Sequence, residues 1–296
     1  MYISDLINFG SKSLRKKLIS SHQLDSELLL SNVLNKSREN ILVSPEKNVS
    51  KDIILNFNKL LNRRLKKEPL AYIFKKKEFW SKNFLVDRNT LIPRPETELL
   101  VEQLVKYFRD KKIFILDIGT GSGCILLSLL EEIKKSKGIG IDISNKALDV
   151  AYKNSKFFGF SARCKFYKRS LDRIYGYKFD LIVSNPPYIN THQIKNLSED
   201  IKRYEPRKAL DGGNDGLDVI KKVIYKSRYI LRKNGTFALE IGYGQYIKVS
   251  QILKLHGFIE KYLVRDYQKN IRCIISVLKC WMLENYKIVN FVSIFI

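Results

Sequence analysis

The sequence predicts an α/β fold, a mostly parallel, doubly wound sheet preceded by a small helical bundle and a β-hairpin linker. Three observations carry this. From residue 112 onward, apolar runs of strand length alternate with helix-length amphipathic segments, as expected when crossover helices bury both faces of a parallel sheet. A glycine-rich turn, LDIGTGSG at 116–123, follows the first of those runs. Residues 1–74, by contrast, keep apolar side chains at helical spacing and gather no ligand-type residues.

In the bundle, Ile53, Ile54, Phe57, Leu60, Leu61 and Leu65 share one helix face, with Ser50 placed as N-cap and Pro69 beyond the end. Leu24, Leu28, Leu29, Leu30, Val33 and Leu34 mark a second helix, and residues 2–19 a weaker third. This unit, 1–74, is expected to hold or position something. The linker, 75–93, carries KKEFWSKNFLVDRNTLIP, whose aromatic and β-type residues flank Ser81-Lys82-Asn83 as a hairpin turn. A third unit, 94–279, opens with helical spacing over 96–109. It continues with strand IFILDI, helix 123–135, strand GIGIDI, helix 145–157 and strands CKFYKR and FDLIVSN. Its last part reads as helix 215–232, strand TFALEIG, helix 246–255 and strands near 258–264 and 271–278. Residues 280–296 form an extension of unknown role, apolar from Ile288 to the end.

Bulk properties narrow the classes. The chain has 296 residues, 45% of them hydrophobic, enough for one large or two modest cores. No stretch approaches the roughly 20 apolar residues of a membrane-spanning helix, and no leader pattern opens the chain, so a cytoplasmic protein is expected. Cys124, Cys164, Cys273 and Cys280 lack Cys-x-x-Cys spacing, which argues against disulfides and structural zinc; no metal site is expected. The net charge of +24 permits a nucleic-acid partner. Its lysines run the whole length of an isoleucine- and asparagine-rich chain, which fits compositional drift better than a dedicated surface.

Two motifs sit at predicted strand ends, where ligands bind in doubly wound sheets. The first holds Asp117, Gly119, Thr120, Gly121, Ser122 and Gly123, with Asp142 ending the next strand. A dinucleotide loop reads G-x-G-x-x-G; here the third glycine comes one residue early. That suits a nucleoside with an amino-acid end, S-adenosyl-L-methionine before NAD, with Asp142 accepting from the ribose hydroxyls. The second motif is VSNPPYI, 183–189. An amide nitrogen is a poor nucleophile because its lone pair is delocalised into the carbonyl. Methylating it requires acceptors aimed at both N–H bonds, fixed in advance. The Asn185 side-chain oxygen and the Pro186 carbonyl suit that task, Pro187 stiffens the loop, and Tyr188 offers a face for a planar group.

Asn-Pro-Pro-Tyr after G-x-G-x-G resembles the class I S-adenosylmethionine methyltransferases that act on planar NH₂ groups. EPLAYIFKKKEFW (68–80), LIPRPETELLVE (91–102), EPRKALDGGNDGLD (205–218) and LEIGYGQ (239–245) narrow the resemblance to the HemK-type (PrmC) release-factor glutamine methyltransferases, over roughly residues 20–279. The resemblance implies a Rossmann-like catalytic unit and methylation of the Gly-Gly-Gln glutamine of peptide chain release factors. It assigns Gly119 to Gly123 to the methionine part of the cofactor, Asp142 to the ribose, and Asn185, Pro186, Pro187 and Tyr188 to the target amide, with Asn185 also expected to contact the cofactor. Arg94, Pro95 and Glu96 would wall the site or close the domain junction. The adenine positions depart from the pattern: Arg169, Ser170 and Leu171 stand where an acid and a tryptophan or leucine are usual, the tryptophan position falling on Ser170 without a gap or on Leu171 with one, and Ser170 is the expected contact. The expected partner is the release factor as protein substrate, with no membrane, no required nucleic acid and a monomeric chain. Two other readings are an adenine-N6 methyltransferase on DNA or RNA, and a drifted chain that binds without turnover.

Overall fold

The computed structural model describes residues 1–174 and 176–279; the expected extension at 280–296 lies outside the described residues. The N-terminal part is helical: α1 (Ile3–Lys16), α2 (His22–Leu34), the short α3 (Arg38–Leu42), α4 (Lys51–Leu65) and the short α5 (Leu70–Phe74). Leu6, Leu14, Leu29, Leu30, Ile41, Phe57 and Leu61 are buried together at its centre. The Ser50 hydroxyl caps α4 by accepting from Ile53 N at 3.4 Å. Burying each such leucine or phenylalanine contributes about 1.5–3 kcal/mol. Beneath that core, Arg64 Nε donates to Asp25 Oδ2 at 2.6 Å, joining α4 to α2 through a buried ion pair.

The hairpin follows as β1 (Lys76–Phe79) and β2 (Lys82–Leu85), paired Phe79 to Lys82. Its turn is Trp80–Ser81, one residue earlier than the spacing predicts. Both residues are left-handed, at φ 51° and 55°, the conformation whose twist matches a two-residue hairpin. Tertiary contacts hold it there: Trp80 N donates to Glu98 and Trp80 Nε1 to Glu132, at 3.1 and 2.8 Å. Phe79 and Phe84 sink into the main core.

The remaining elements are α6 (Pro95–Phe108), β3 (Phe114–Ile118), α7 (Cys124–Glu132), β4 (Lys137–Asp142), α8 (Asn145–Phe157), β5 (Cys164–Lys168) and β6 (Phe179–Ser184). After them come α9 (Glu199–Tyr204), α10 (Asp218–Ile230), β7 (Leu231–Glu240), α11 (Tyr246–Leu255), β8 (Phe258–Arg265) and β9 (Ile271–Leu278). The sheet runs β5-β4-β3-β6-β7-β9-β8, its first five strands parallel and β9 antiparallel to both neighbours. One core layer lies on each face of it. Among the described residues no helix is long and apolar enough to cross a membrane.

Chain order runs outward from β3 to β5 on one side, then resumes from β6 on the other. The point of reversal lies between β3 and β6, where a crevice opens beyond the strand ends. Both motifs emerge there.

Candidate active site

β3 and β6 are hydrogen-bonded neighbours with Asp117 opposite Val183 and Ile118 opposite Ser184. The glycine turn and Asn185 therefore leave the sheet side by side, and the Ser184 hydroxyl pins them by donating to Ile118 O at 2.9 Å. On the other flank, β4 delivers Asp142 and β5 delivers Arg169, whose N–H bonds Asp142 O at 3.2 Å. Together they enclose a cleft of about 590 Å³, lined by Gly119, Thr120, Gly121, Ser122, Asp142, Arg169, Ser170, Leu171, Asn185, Pro186 and Pro187. That is ample for a nucleoside-sized ligand.

Gly119, Gly121 and Gly123 all have positive φ, 71°, 55° and 81°, a backbone that glycine adopts without strain. Gly119 N and Thr120 N both donate to Ile141 O, at 2.9 and 3.0 Å. Asp142 closes the turn from outside: its Oδ2 accepts from Gly121 N at 3.1 Å and its Oδ1 from Ser144 N at 2.9 Å. Burial raises the Asp142 pKa, and those N–H groups oppose the rise. Asn154 of α8 braces the turn further, donating to Ser122 O at 2.9 Å while pairing with both backbone groups of Leu85 in the hairpin.

Two of the expected cofactor residues stand behind the cleft surface. Asp117 is fully buried; its Oδ2 accepts from Thr120 Oγ1 at 2.6 Å and its Oδ1 has no hydrogen-bond partner among the described residues. Burial pushes its pKa up to about 7. Gly123 forms the left-handed N-cap of α7. A Cβ at Gly119 would meet nothing within 4 Å, so the turn offers open backbone. The buried Ser122 hydroxyl also lacks a partner among the described residues. Open backbone, an unspent hydroxyl and a carboxylate at the next strand end fit a nucleoside carrying an amino-acid tail.

The Asn-Pro-Pro-Tyr segment divides two cavities. Asn185 and Pro186 line the main cleft and also a smaller pocket of about 160 Å³, whose wall they share with Tyr188, Ile189, Leu91, Arg94 and Ile201 among others. Tyr188 thus faces the smaller pocket. Asn185 Nδ2 donates to Thr97 Oγ1 at 3.1 Å, and Thr97 Oγ1 donates to Glu240 Oε2 at 2.6 Å. Tyr188 Oη donates to Glu240 Oε1 at 3.4 Å and accepts from Arg272 Nη2 at 3.3 Å. Glu240 is fully buried, which raises its pKa against the pull of Thr97 and Arg272. Burial, chiefly, pushes the Tyr188 phenol up to about 12.

Residues 5–74 match the PrmC N-terminal domain and residues 95–213 the methyltransferase small domain. Over 261 residues the chain is 37% identical to the release factor glutamine methyltransferase of Caulobacter vibrioides, covering 88% of this chain and 90% of that protein. The chain belongs to the release factor glutamine methyltransferase family. It is also 36% identical to the bifunctional methyltransferase of Rickettsia bellii, which it matches over 92% of its own length but only 54% of that protein's. In fold it is similar to a methyltransferase from Pyrococcus furiosus, with TM-score 0.53 at 16% identity, covering 74% of this chain and 98% of that one.

In this release factor glutamine methyltransferase both motifs border the cleft, and the Asn-Pro-Pro-Tyr segment is held by residues distant in sequence. Thr97, Glu240 and Arg272 lie 88, 52 and 84 positions from the groups they hold, so no local pattern could pair them. One signal was there to read. Glu240 interrupts the apolar strand TFALEIG, and a carboxylate buried in a strand requires partners.

Proposed function

We propose that this enzyme transfers the methyl group of S-adenosyl-L-methionine to the side-chain nitrogen of the Gly-Gly-Gln glutamine in peptide chain release factors. The observation that carries the reading is the double role of Asn185 and Pro186, which line both the main cleft and the smaller pocket. A glutamine side chain entering by the pocket meets the acceptors at the wall it must share with the cofactor. Bound in the cleft, the cofactor supplies an electrophilic methyl on a sulfonium.

Asp142 would take the ribose hydroxyls with the lone pairs its backbone bonds leave free. Thr120, Ser122 and the open turn from Gly119 to Gly123 would hold the methionine end, Asp117 acting through its bond from Thr120. Ser170, with Arg169 and Leu171 beside it, would border the adenine. Asn185 Oδ1 and the Pro186 carbonyl would accept the two N–H bonds of the target amide, holding its plane fixed and stabilising positive charge as it grows on nitrogen. Pro187 keeps that loop stiff. Tyr188 packs beside the entering chain, its hydroxyl spent on Glu240. The surplus proton leaves to water, and no general base is needed.

The helical unit would grip the protein substrate, with the chain acting as a monomer in the cytoplasm and without nucleic acid. Relatives at 37% identity that carry the glutamine methyltransferase name support a protein amide over an adenine. The test is incubation with S-adenosyl-L-methionine and unmethylated release factor, followed by peptide mass spectrometry. A methyl on the Gly-Gly-Gln glutamine is the expected result. Cofactor binding with no methyl on that residue would refute the assignment.

A further inference from the structure

Asn185 bears its task only if its amide is the right way round. An amide is nearly symmetric in shape, so either edge could face the ligand; the neighbouring hydrogen bonds decide which. Arg272 can only donate, so the Tyr188 oxygen accepts from it and passes its own proton to Glu240 Oε1. On the far oxygen of the same carboxylate, Thr97 delivers its only proton at 2.6 Å. Where Glu240 is ionised that proton is spent, Thr97 Oγ1 can only accept, and the edge of Asn185 at 3.1 Å is its NH₂. Oδ1 is the edge left for a ligand. The chain of donors runs inward from both ends to one buried carboxylate, which is fully screened from solvent.

We propose that Glu240 and Thr97 are positioning residues that lock the Asn185 amide with its oxygen presented to the substrate. This rests on the reading of Asn185 as acceptor for the target amide. Neither residue touches the reacting atoms. Glu240 sets the direction of the Thr97 proton, and Thr97 sets the orientation of Asn185. Replacing Glu240 by glutamine keeps shape and volume but offers an N–H to Thr97. The Thr97 proton is then free to turn to Asn185, and the amide can flip. Valine at 97 removes the relay at nearly constant volume, whereas serine keeps it.

The direct readout is the Asn185 side-chain NH₂ in protein labelled with ¹⁵N-asparagine, assigned by its loss in Asn185→Ala. In the parent and in Thr97→Ser one of its protons should be protected from solvent exchange. Thr97→Val and Glu240→Gln should exchange that proton about tenfold faster or more. With release factor as substrate, these two variants should lose roughly tenfold or more in kcat, with KM within about threefold and cofactor affinity within about twofold. An Asn185 NH₂ unprotected in the parent, or equally protected in both variants, overturns the proposal, as does parental kcat in both. So does a loss of cofactor affinity that matches the loss of activity, since it marks a merely structural role. A parent that methylates no release factor refutes the substrate reading, and the exchange measurement still decides the orientation of Asn185.

Discussion

At the residue scale, one group couples the site to pH with a definite sign. Asp117 is buried without full hydrogen bonding, and its pKa is pushed up to about 7 from an ordinary 3.8. The folded state therefore holds the proton more tightly than the unfolded chain. Its contribution to stability is complete below the unfolded pKa and is lost as pH rises through the folded one, by about 4 kcal/mol at most. Asp117→Asn cannot titrate. Denaturant midpoints taken from about pH 4 to pH 8 should fall more steeply for the parent than for Asp117→Asn. Parallel profiles would show that burial of Asp117 is relieved in solution. Asn185→Ala is the companion prediction: it removes the acceptor proposed for the target amide while leaving the turn and Asp142 untouched. Calorimetry should find cofactor affinity within about twofold of the parent while methyl transfer falls by roughly a hundredfold or more. Equal activity in variant and parent would contradict the role given to the amide.

At the element scale, the strands were legible because buried parallel strands are near-continuous apolar runs; α8 and α11 fall at Asn145–Phe157 and Tyr246–Leu255, where the periodicity put them. What escaped was set by tertiary contact or by single turns. The hairpin turn is held at Trp80 by Glu98 and Glu132, which no local propensity reports. Between β6 and α10 the chain makes a 3₁₀ turn at Thr191–Asn196, the short α9 and another 3₁₀ turn at Arg207–Ala209. None is long enough to show a period. α10 begins at Asp218, later than the expected 215, because Gly216 at φ 73° still belongs to the preceding turn. Of the site, the cleft-lining motifs were readable and the carboxylate supporting the Asn-Pro-Pro-Tyr segment was not. Packing inside β4 gives a further prediction. A Cβ at Gly140 would lie 2.6 Å from Phe166 Cδ1 and 2.8 Å from Thr120 Oγ1. Gly140→Ala should therefore cost about 1–3 kcal/mol in denaturant unfolding. It should also weaken cofactor binding, since the displaced Thr120 anchors the turn. Unchanged affinity would mean that Phe166 alone absorbs the clash.

At the scale of the whole molecule, the helical unit and the sheet meet at the mouth of the cleft through polar contacts more than through a shared core. Glu68 accepts from Arg63 beside it and from Arg88 across the junction, at 2.8 and 3.3 Å. Tyr204 Oη, after the Asn-Pro-Pro-Tyr segment, donates to Lys66 O at 2.8 Å, and Tyr72 Oη donates to Thr90 O at 2.6 Å. The apolar part is a small cluster of Tyr72, Val86 and Ile92 with Ala71 and Tyr204. Glu205 is the best-buried charge here, its side chain 1% exposed, accepting from Arg94 Nη2 at 2.6 Å and from Ile92 N at 3.3 Å. Arg94 in turn walls both the cleft and the smaller pocket. Removing the carboxylate strands a half-buried guanidinium and an amide donor together, which costs about 2–4 kcal/mol. Glu205→Ala should therefore lower stability by that amount and, by releasing Arg94 from the pocket wall, raise KM for release factor several-fold. Because the Arg94 guanidinium bonds Glu205 and takes no part in the bonds that hold Asn185 through Thr97 and Glu240, kcat should change far less than KM. A variant that loses kcat and keeps KM would move Glu205 out of the junction and into the support of the amide site.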